Sequence, residues 1–279
     1  LIYYNIKNAR CQVVGALAKY LTRDNFGAII DTNKIIKAVK RLKCAAIIAA
    51  AGSGTRMNAG KDENGNAKNK MFLPLSGISV LARTLMTFNS SKLIESIVVV
   101  TREIDIKEVN KIKEEYKIDK LFKVCEGGKT RKDSVLKGLS LLDSDTDFVF
   151  IHDGARCLVE SDLIEECLKK ATLFGAAAPG VKVKDSIKKV DKDGFIIEDV
   201  KRDDLTNIQT PQVFSYEKIY ALHKKAEEEG LSVTDDTAIF THYGEKVYIT
   251  EGSYENIKIT TAEDMIYAEE ILKRRGCKK

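Results

Sequence analysis

The stretch Cys44 to Met57, CAAIIAAAGSGTRM, constrains this 279-residue chain more than any other. Cys44 to Ala50 is an uninterrupted apolar run with paired isoleucines, and it stops at a loop containing Gly52 and Gly54. A run of that kind predicts a buried parallel strand ending in a glycine turn. Such a turn brings backbone N–H groups close to a phosphate, because no side chain intervenes and positive φ is accessible. Arg56 adds a full charge beside it. The same turn also fits a plain strand-to-helix connection. Two familiar phosphate motifs are excluded: a Walker loop needs Gly-Lys-Ser/Thr where Thr55, Arg56 and Met57 follow Gly54, and a dinucleotide fingerprint needs a third glycine where Met57 stands. After a polar insertion Lys70 arrives in KNKMFLPLSG, a second cation just before apolar structure resumes.

From Cys44 onward, strand-like and helix-like segments alternate. Ser96 to Thr101, Phe122 to Cys125, Phe148 to Ile151 and Ala176 to Val181 predict strands; Leu81 to Phe88, Ile104 to Tyr116, Lys132 to Leu142 and Glu160 to Phe174 predict helices. That rhythm implies an α/β fold with a mostly parallel sheet covered on both faces. Ligands in such sheets bind at the carboxyl ends of the strands.

Charge restricts the partners. The chain carries a formal net charge of +5, but residues 1–43 hold nine Lys and Arg against two Asp and Glu, leaving 37 against 39 in the other 236 residues. The body is therefore no polyanion binder, and no nucleic-acid partner is expected. Residues 32–43 have apolar positions at helical spacing (Ile35, Ile36, Val39, Leu42) and predict a basic amphipathic helix; this N-terminal extension is given no function. No run of 18 apolar residues occurs, so no membrane-spanning helix is expected. The six cysteines are scattered, without a CxxC pair or a metal-like His/Cys cluster, which predicts reduced thiols in a cytoplasmic protein.

Three further motifs fall at expected strand ends. The third strand runs into EGGKTRKDSV, where Gly127-Gly128 makes a flexible turn and Asp133 or Ser134 is positioned to cap the following helix. Ser134 fits either that capping role or, with the glycines, contact with a nucleotide base. The fourth strand ends in HDGAR, which puts the carboxylate of Asp153 and the charge of Arg156 at the ligand end, either as a helix-capping salt bridge or as ligands for a cation or polar substrate. His152, beside Asp153 on an alternating strand end, points the other way. Residues 182–202 break the rhythm: Ser186 to Val190 and Phe195 to Val200 flank Asp191-Lys-Asp-Gly194, a hairpin signal. A polar hairpin with little core needs something to lie against. Downstream come helices from Ser215, from Thr234-Asp235 and from Thr261 to Arg275, a strand at Val247 to Thr250, and the extended ENIKIT, on which Lys258 and Thr260 share a face.

The constellation is Arg56, Lys70, Arg156, Arg202 and Lys258 with two glycine turns and one strand-tip carboxylate. Cations among glycine loops suit phosphoryl or nucleotidyl transfer, in which the protein positions groups and neutralises phosphate charge. The series AAAGSGTRM, Lys70, GGKTRKDSV, HDGAR, KRDDLTNIQTPQ, TDDT and EGSYENIKIT resembles, motif for motif, the 2-C-methyl-D-erythritol 4-phosphate cytidylyltransferases, over about residues 44 to 273. The resemblance implies a Rossmann-like nucleotidyltransferase domain from residue 44 to 279 that joins CTP to a polyol phosphate and releases pyrophosphate, with Mg²⁺ held mainly by the phosphates. It implies Arg56 and Lys70 as the catalytic triphosphate pair, and CTP contacts at Ala50, Ala51, Gly52, Gly54, Thr55, Gly128, Lys129, Ser134 and Asp153. Acceptor contacts are implied at Asp153, Arg156, Thr210, Lys258 and Thr260, with Ser186 and Arg202 supplied by the protruding hairpin of a second subunit in a homodimer. The segment 58–69 is longer than usual for the family, Cys157 replaces a frequent proline, Ser186 replaces a frequent threonine, and residues 1–43 have no counterpart. A ribitol-5-phosphate cytidylyltransferase shares nearly all these motifs, and a non-catalytic nucleotide-binding regulator is the alternative from another class.

Overall fold

The computed structural model describes residues 42–52, 57 and 69–276. In chain order the strands are β1 (Cys44–Ala49), β2 (Pro74–Leu75), β3 (Ile78–Ser79), β4 (Ile94–Thr101), β5 (Leu121–Glu126), β6 (Phe148–Asp153), β7 (Ala176–Lys182), β8 (Ile187–Val190), β9 (Ile196–Val200), β10 (Thr206–Ile208), β11 (Gln212–Ser215) and β12 (Tyr248–Glu251). The α-helices are α1 (Val80–Ser90), α2 (Ile106–Glu115), α3 (Arg131–Ser140), α4 (Ser161–Phe174), α5 (Tyr216–Glu228), α6 (Asp236–His242) and α7 (Ala262–Arg274).

β1 lies near the middle of an eight-stranded sheet ordered β10-β7-β11-β6-β1-β4-β5, with β12 pairing β7. β1, β4, β5 and β6 are mutually parallel, while β11 joins β6 and β7 antiparallel. The apolar runs are continuous because both faces are covered. Ala46, Ile48, Phe148 and Phe150 face one core, with helices α1, α2, α4 and α7, whereas Ala45, Ile47, Val149 and Ile151 face the other, with α3, α5 and α6. Gly138 of α3 lets that helix sit tightly on the sheet, since a Cβ there would lie 2.9 Å from Ile47 and 3.1 Å from Val100.

The expected hairpin forms, with β8 and β9 making an antiparallel two-stranded sheet of their own. Val190, Phe195, Ile196 and Ile197 on it are exposed.

Several local expectations need correction. The cap of α3 is neither Asp133 nor Ser134 but Thr130, whose side chain accepts from the Asp133 N–H while Asp133 accepts from the Thr130 N–H. That reciprocal box satisfies two end donors at once. Ser215 occupies the cap position of α5 without a side-chain cap bond. Of the expected helix 32–43, residues 32–41 lie outside the described residues; Leu42 and Lys43 are not helical, and Lys43 is pinned to the body by its N–H to Asp147 and its ammonium to Asp143 and Asp145.

Candidate active site

The chain runs outward from β1 through β4 to β5, then returns to place β6 on the opposite side of β1. That reversal opens a crevice at the carboxyl ends of β1 and β6, the place where open α/β sheets bind ligands. Register puts Ala49 of β1 beside Asp153 of β6, and the Gly154 N–H donates to the Ala49 carbonyl at 2.9 Å. Ala50, Ala51 and Gly52 therefore leave the sheet next to Asp153. Gly54, Thr55 and Arg56 lie outside the described residues.

Asp153, only 7% exposed, is surrounded by cations. Lys258 Nζ lies 2.9 Å from one carboxylate oxygen, Arg156 Nε 3.5 Å from the same oxygen, and Arg131 Nε 3.7 Å from the other. Burial alone would raise this carboxyl, but Lys258, Arg131 and Arg156 hold it well below the usual carboxylate range. Burial in turn lowers the Arg156 guanidinium, against the pull of Asp153. Arg156 does not cap the next helix; its Nη1 donates to the Asn256 carbonyl at 2.7 Å.

Beneath the cluster lies a directed chain of hydrogen bonds. The Arg156 carbonyl can only accept, so His152 Nε2, 3.2 Å away, is the donor and carries the proton. Nδ1 then accepts from the Thr210 hydroxyl at 3.0 Å, and that hydroxyl accepts from the Asp153 N–H at 3.1 Å. His152 is fully buried, and burial pushes its ring down to about 3. It faces away from the crevice, as the alternation predicts. Thr210, expected to touch the acceptor, spends its hydroxyl inward on Asp153 and His152, while its carbonyl accepts from the Asn256 side chain at 2.9 Å.

Lys70 enters from a 3₁₀ turn, Lys70–Phe72, capped by Asn69. Although buried, its ammonium donates to the Ile259 carbonyl at 2.6 Å. The Ile259 N–H donates to Ala155 at 2.9 Å, so this buried residue joins Lys70 to the β6 tip and leaves Lys258 facing Asp153. Thr260 keeps its hydroxyl on the Lys258 carbonyl at 3.1 Å and its N–H on Asp264 at 2.7 Å.

The second glycine turn is close-packed rather than flexible. A Cβ on Gly127 would lie 2.6 Å from Ala51 and 2.8 Å from the Ser134 hydroxyl, and one on Gly128 would overlap Asp133. The Ser134 hydroxyl accepts from the Gly128 N–H at 3.0 Å and donates to the Thr130 carbonyl at 2.9 Å. It therefore fixes the turn from inside. Lys129 is exposed. The chain leaving β1 at Ala51 thus packs directly against the glycine turn that follows β5.

Ser186 and Arg202 stand apart on the exposed hairpin region. Arg202 Nη1 donates to the Lys184 carbonyl at 3.0 Å, and among the described residues no hydrogen bond or ion pair joins either residue to Asp153. Nor do three Asp, Glu, His or Cys side chains converge among the described residues. With its strand-tip carboxylate already facing three cations, this donor set does not fit a divalent ion held by the protein itself.

Sequence reasoning missed Arg131, Asp236, His223 and Asn256. Arg131 bonds Asp236 at 2.6 Å, and Asp236 bonds His223 at 3.0 Å. The available signal was the position of Arg131 just after the glycine turn and of Asp236 in TDDT.

A family model described as 2-C-methyl-D-erythritol 4-phosphate cytidylyltransferase matches residues 44–274. The protein of that name from Clostridium novyi (strain NT) is 46% identical over 231 residues, covering 82% of this chain and 96% of that protein. Its counterpart from Clostridium botulinum (strain ATCC 19397 / Type A) is 43% identical over 232 residues, covering 83% and 98%. The crystal structure of 4-diphosphocytidyl-2C-methyl-D-erythritol synthase from Anaerococcus prevotii DSM 20548 matches with a TM-score of 0.72 at 33% identity, covering 84% of this chain and 97% of that one. With sequence and fold both matching over most of its length, the chain belongs to the 2-C-methyl-D-erythritol 4-phosphate cytidylyltransferase family.

Proposed function

We propose that this chain transfers a cytidylyl group from CTP to 2-C-methyl-D-erythritol 4-phosphate, forming 4-diphosphocytidyl-2-C-methyl-D-erythritol and pyrophosphate in non-mevalonate isoprenoid biosynthesis. The observation that carries this reading is the cationic cluster around Asp153, set at the sheet's switch point where β1 ends and Ala51 packs on the Gly127-Gly128 turn. In the reaction, a phosphate oxygen of the acceptor attacks the α-phosphorus of CTP. The bond to the bridging oxygen of the β-phosphate breaks, and that oxygen leaves with pyrophosphate. Negative charge grows on the α-phosphoryl oxygens and the leaving group, so fixed cations lower the barrier.

Arg56 and Lys70 supply that charge at the triphosphate. The tight turn holding Gly128 and Ser134, with Lys129, reads the cytosine edge, and Ala50 to Gly52, with Gly54 and Thr55, line the nucleotide's path. Arg156, Lys258 and Thr260 meet the acceptor beside Asp153, which Thr210 supports from beneath. Magnesium is carried by the phosphates of CTP and is assigned to no side chain, a reading supported by the lack, among the described residues, of a His, Cys, Asp or Glu group that could hold it. Ser186 and Arg202 complete the site of a second copy in a homodimer, a reading supported by the exposed apolar residues of the hairpin. The phosphorylated substrates and the free thiols of Cys44, Cys125, Cys157 and Cys167 favour a cytoplasmic location.

Base choice tests the nucleotide assignment. With acceptor present, kcat/KM for CTP should exceed that for UTP or ATP by about 10²-fold or more, since a site built to hydrogen-bond one base edge rejects analogues that leave its polar groups unpaired. Equal use of ATP would contradict the reading.

A further inference from the structure

The half-buried Arg131 and the buried Asp236 and His223 form a cluster that the roles above do not use. Arg131 is the first residue of α3, directly after the glycine turn. Its guanidinium faces two carboxylates unequally: Nη1 lies 2.6 Å from Asp236, and Nε lies 3.7 Å from Asp153. Nη2 is buried and has no hydrogen-bond partner among the described residues. Asp236 is itself fully buried, accepting from His223 Nε2 at 3.0 Å, while its N–H donates to Gln212 Oε1 at 3.2 Å. Gln212 in turn donates to Asp235 at 2.8 Å.

The asymmetry has a physical consequence. A short charge-assisted bond with a fully buried carboxylate fixes the planar guanidinium in place. The longer contact then gives Asp153 a directional field without taking up its oxygens, which stay available to Lys258 and to a ligand. We infer that Arg131 is a positioning residue for Asp153, anchored by Asp236 and His223, and that it ties the base-reading turn to the acceptor end of the crevice. The inference rests on the proposed acceptor role of Asp153.

The alternative is that Arg131 merely neutralises Asp236. Arg131→Gln, Asp236→Asn and the double variant separate the two. Arg131→Gln leaves two buried carboxylates short of a partner and should lower Tm. The double variant removes the Asp236 charge as well and should recover most of that Tm. Its KM for 2-C-methyl-D-erythritol 4-phosphate should nevertheless remain raised about tenfold, a change that a smaller folded fraction cannot produce. Recovery of the acceptor KM together with Tm would overturn the inference. Crystal structures of the unmodified protein and the double variant give a readout independent of turnover. A displaced Asp153 carboxylate in the double variant supports positioning, and an unmoved one overturns it. If the unmodified protein releases no pyrophosphate while Asp153 still moves in the variant, the cytidylyl reading fails and the positioning role stands.

Discussion

A carboxylate buried as deeply as Asp153 stays ionised because three cations face it, and its backbone N–H is anchored from below by Thr210, which His152 holds in turn. The lower layer works only while His152 is neutral, since a protonated Nδ1 cannot accept from the Thr210 hydroxyl. The folded-state value of about 3 lies far below the ordinary 6.5, so the unfolded chain binds the extra proton first. Stability is therefore complete above about pH 6.5 and declines as pH falls toward 3, at up to about 1.4 kcal/mol per unit from this ring. The carboxyls of Asp153 and Asp236, both lowered, add acid sensitivity only below the ordinary carboxylate range. Urea unfolding between pH 6.5 and 4.5 should show this slope in the unmodified protein and a flatter one in His152→Gln. An unchanged slope in the variant would assign the acid sensitivity elsewhere. At this scale Asp153, Arg156 and Lys258 were legible as charges at a strand tip and on an extended face. Arg131 was not, because in KTRK three cations stand together and only the fold decides which of them turns inward to Asp236. The Gly127 requirement was legible as glycine but not in its cause, which is close approach to Ala51 rather than a positive φ.

Among the elements, the hairpin of β8 and β9 is set apart by its exposure, with Phe195 at 71%, Ile196 at 65% and Ile197 at 57%. Two strands alone are marginal in water, and apolar residues on them favour a partner surface. The turn signal made the hairpin readable in sequence, whereas its partner is no property of local sequence. In the proposed homodimer each crevice takes Lys70 from one chain and Arg202 from the other. Lys70→Ala and Arg202→Ala proteins, each nearly inactive, should on joint unfolding and refolding regain about a quarter of the unmodified activity, because about half the dimers are mixed and each mixed dimer has one intact site. If Arg202 serves its own subunit, every site keeps a lesion and mixing restores nothing. The short strands β10 and β11, of three and four residues, were not legible because segments so short and partly polar carry no clear period.

For the molecule as a whole, the parallel core of β1, β4 and β6 followed from unbroken apolar runs, which only a sheet buried on both faces tolerates, whereas β5 beside β4 carries Lys123 and an exposed Phe122. The crevice followed from the same topology, since crossing from β5 back past β1 to β6 creates the switch point that brings Ala49 beside Asp153. What the topology does not determine is which polyol phosphate fills the acceptor end, because the cations around Asp153 recognise phosphate charge common to many acceptors. The most direct measurement is pyrophosphate release from CTP with 2-C-methyl-D-erythritol 4-phosphate, with ribitol 5-phosphate and without acceptor, run side by side on the unmodified protein. Sustained release with 2-C-methyl-D-erythritol 4-phosphate, at least about 10²-fold faster in kcat/KM than with ribitol 5-phosphate and absent without acceptor, is the expected result. Release that is equal for the two polyols, or that does not depend on an acceptor, would contradict the assignment.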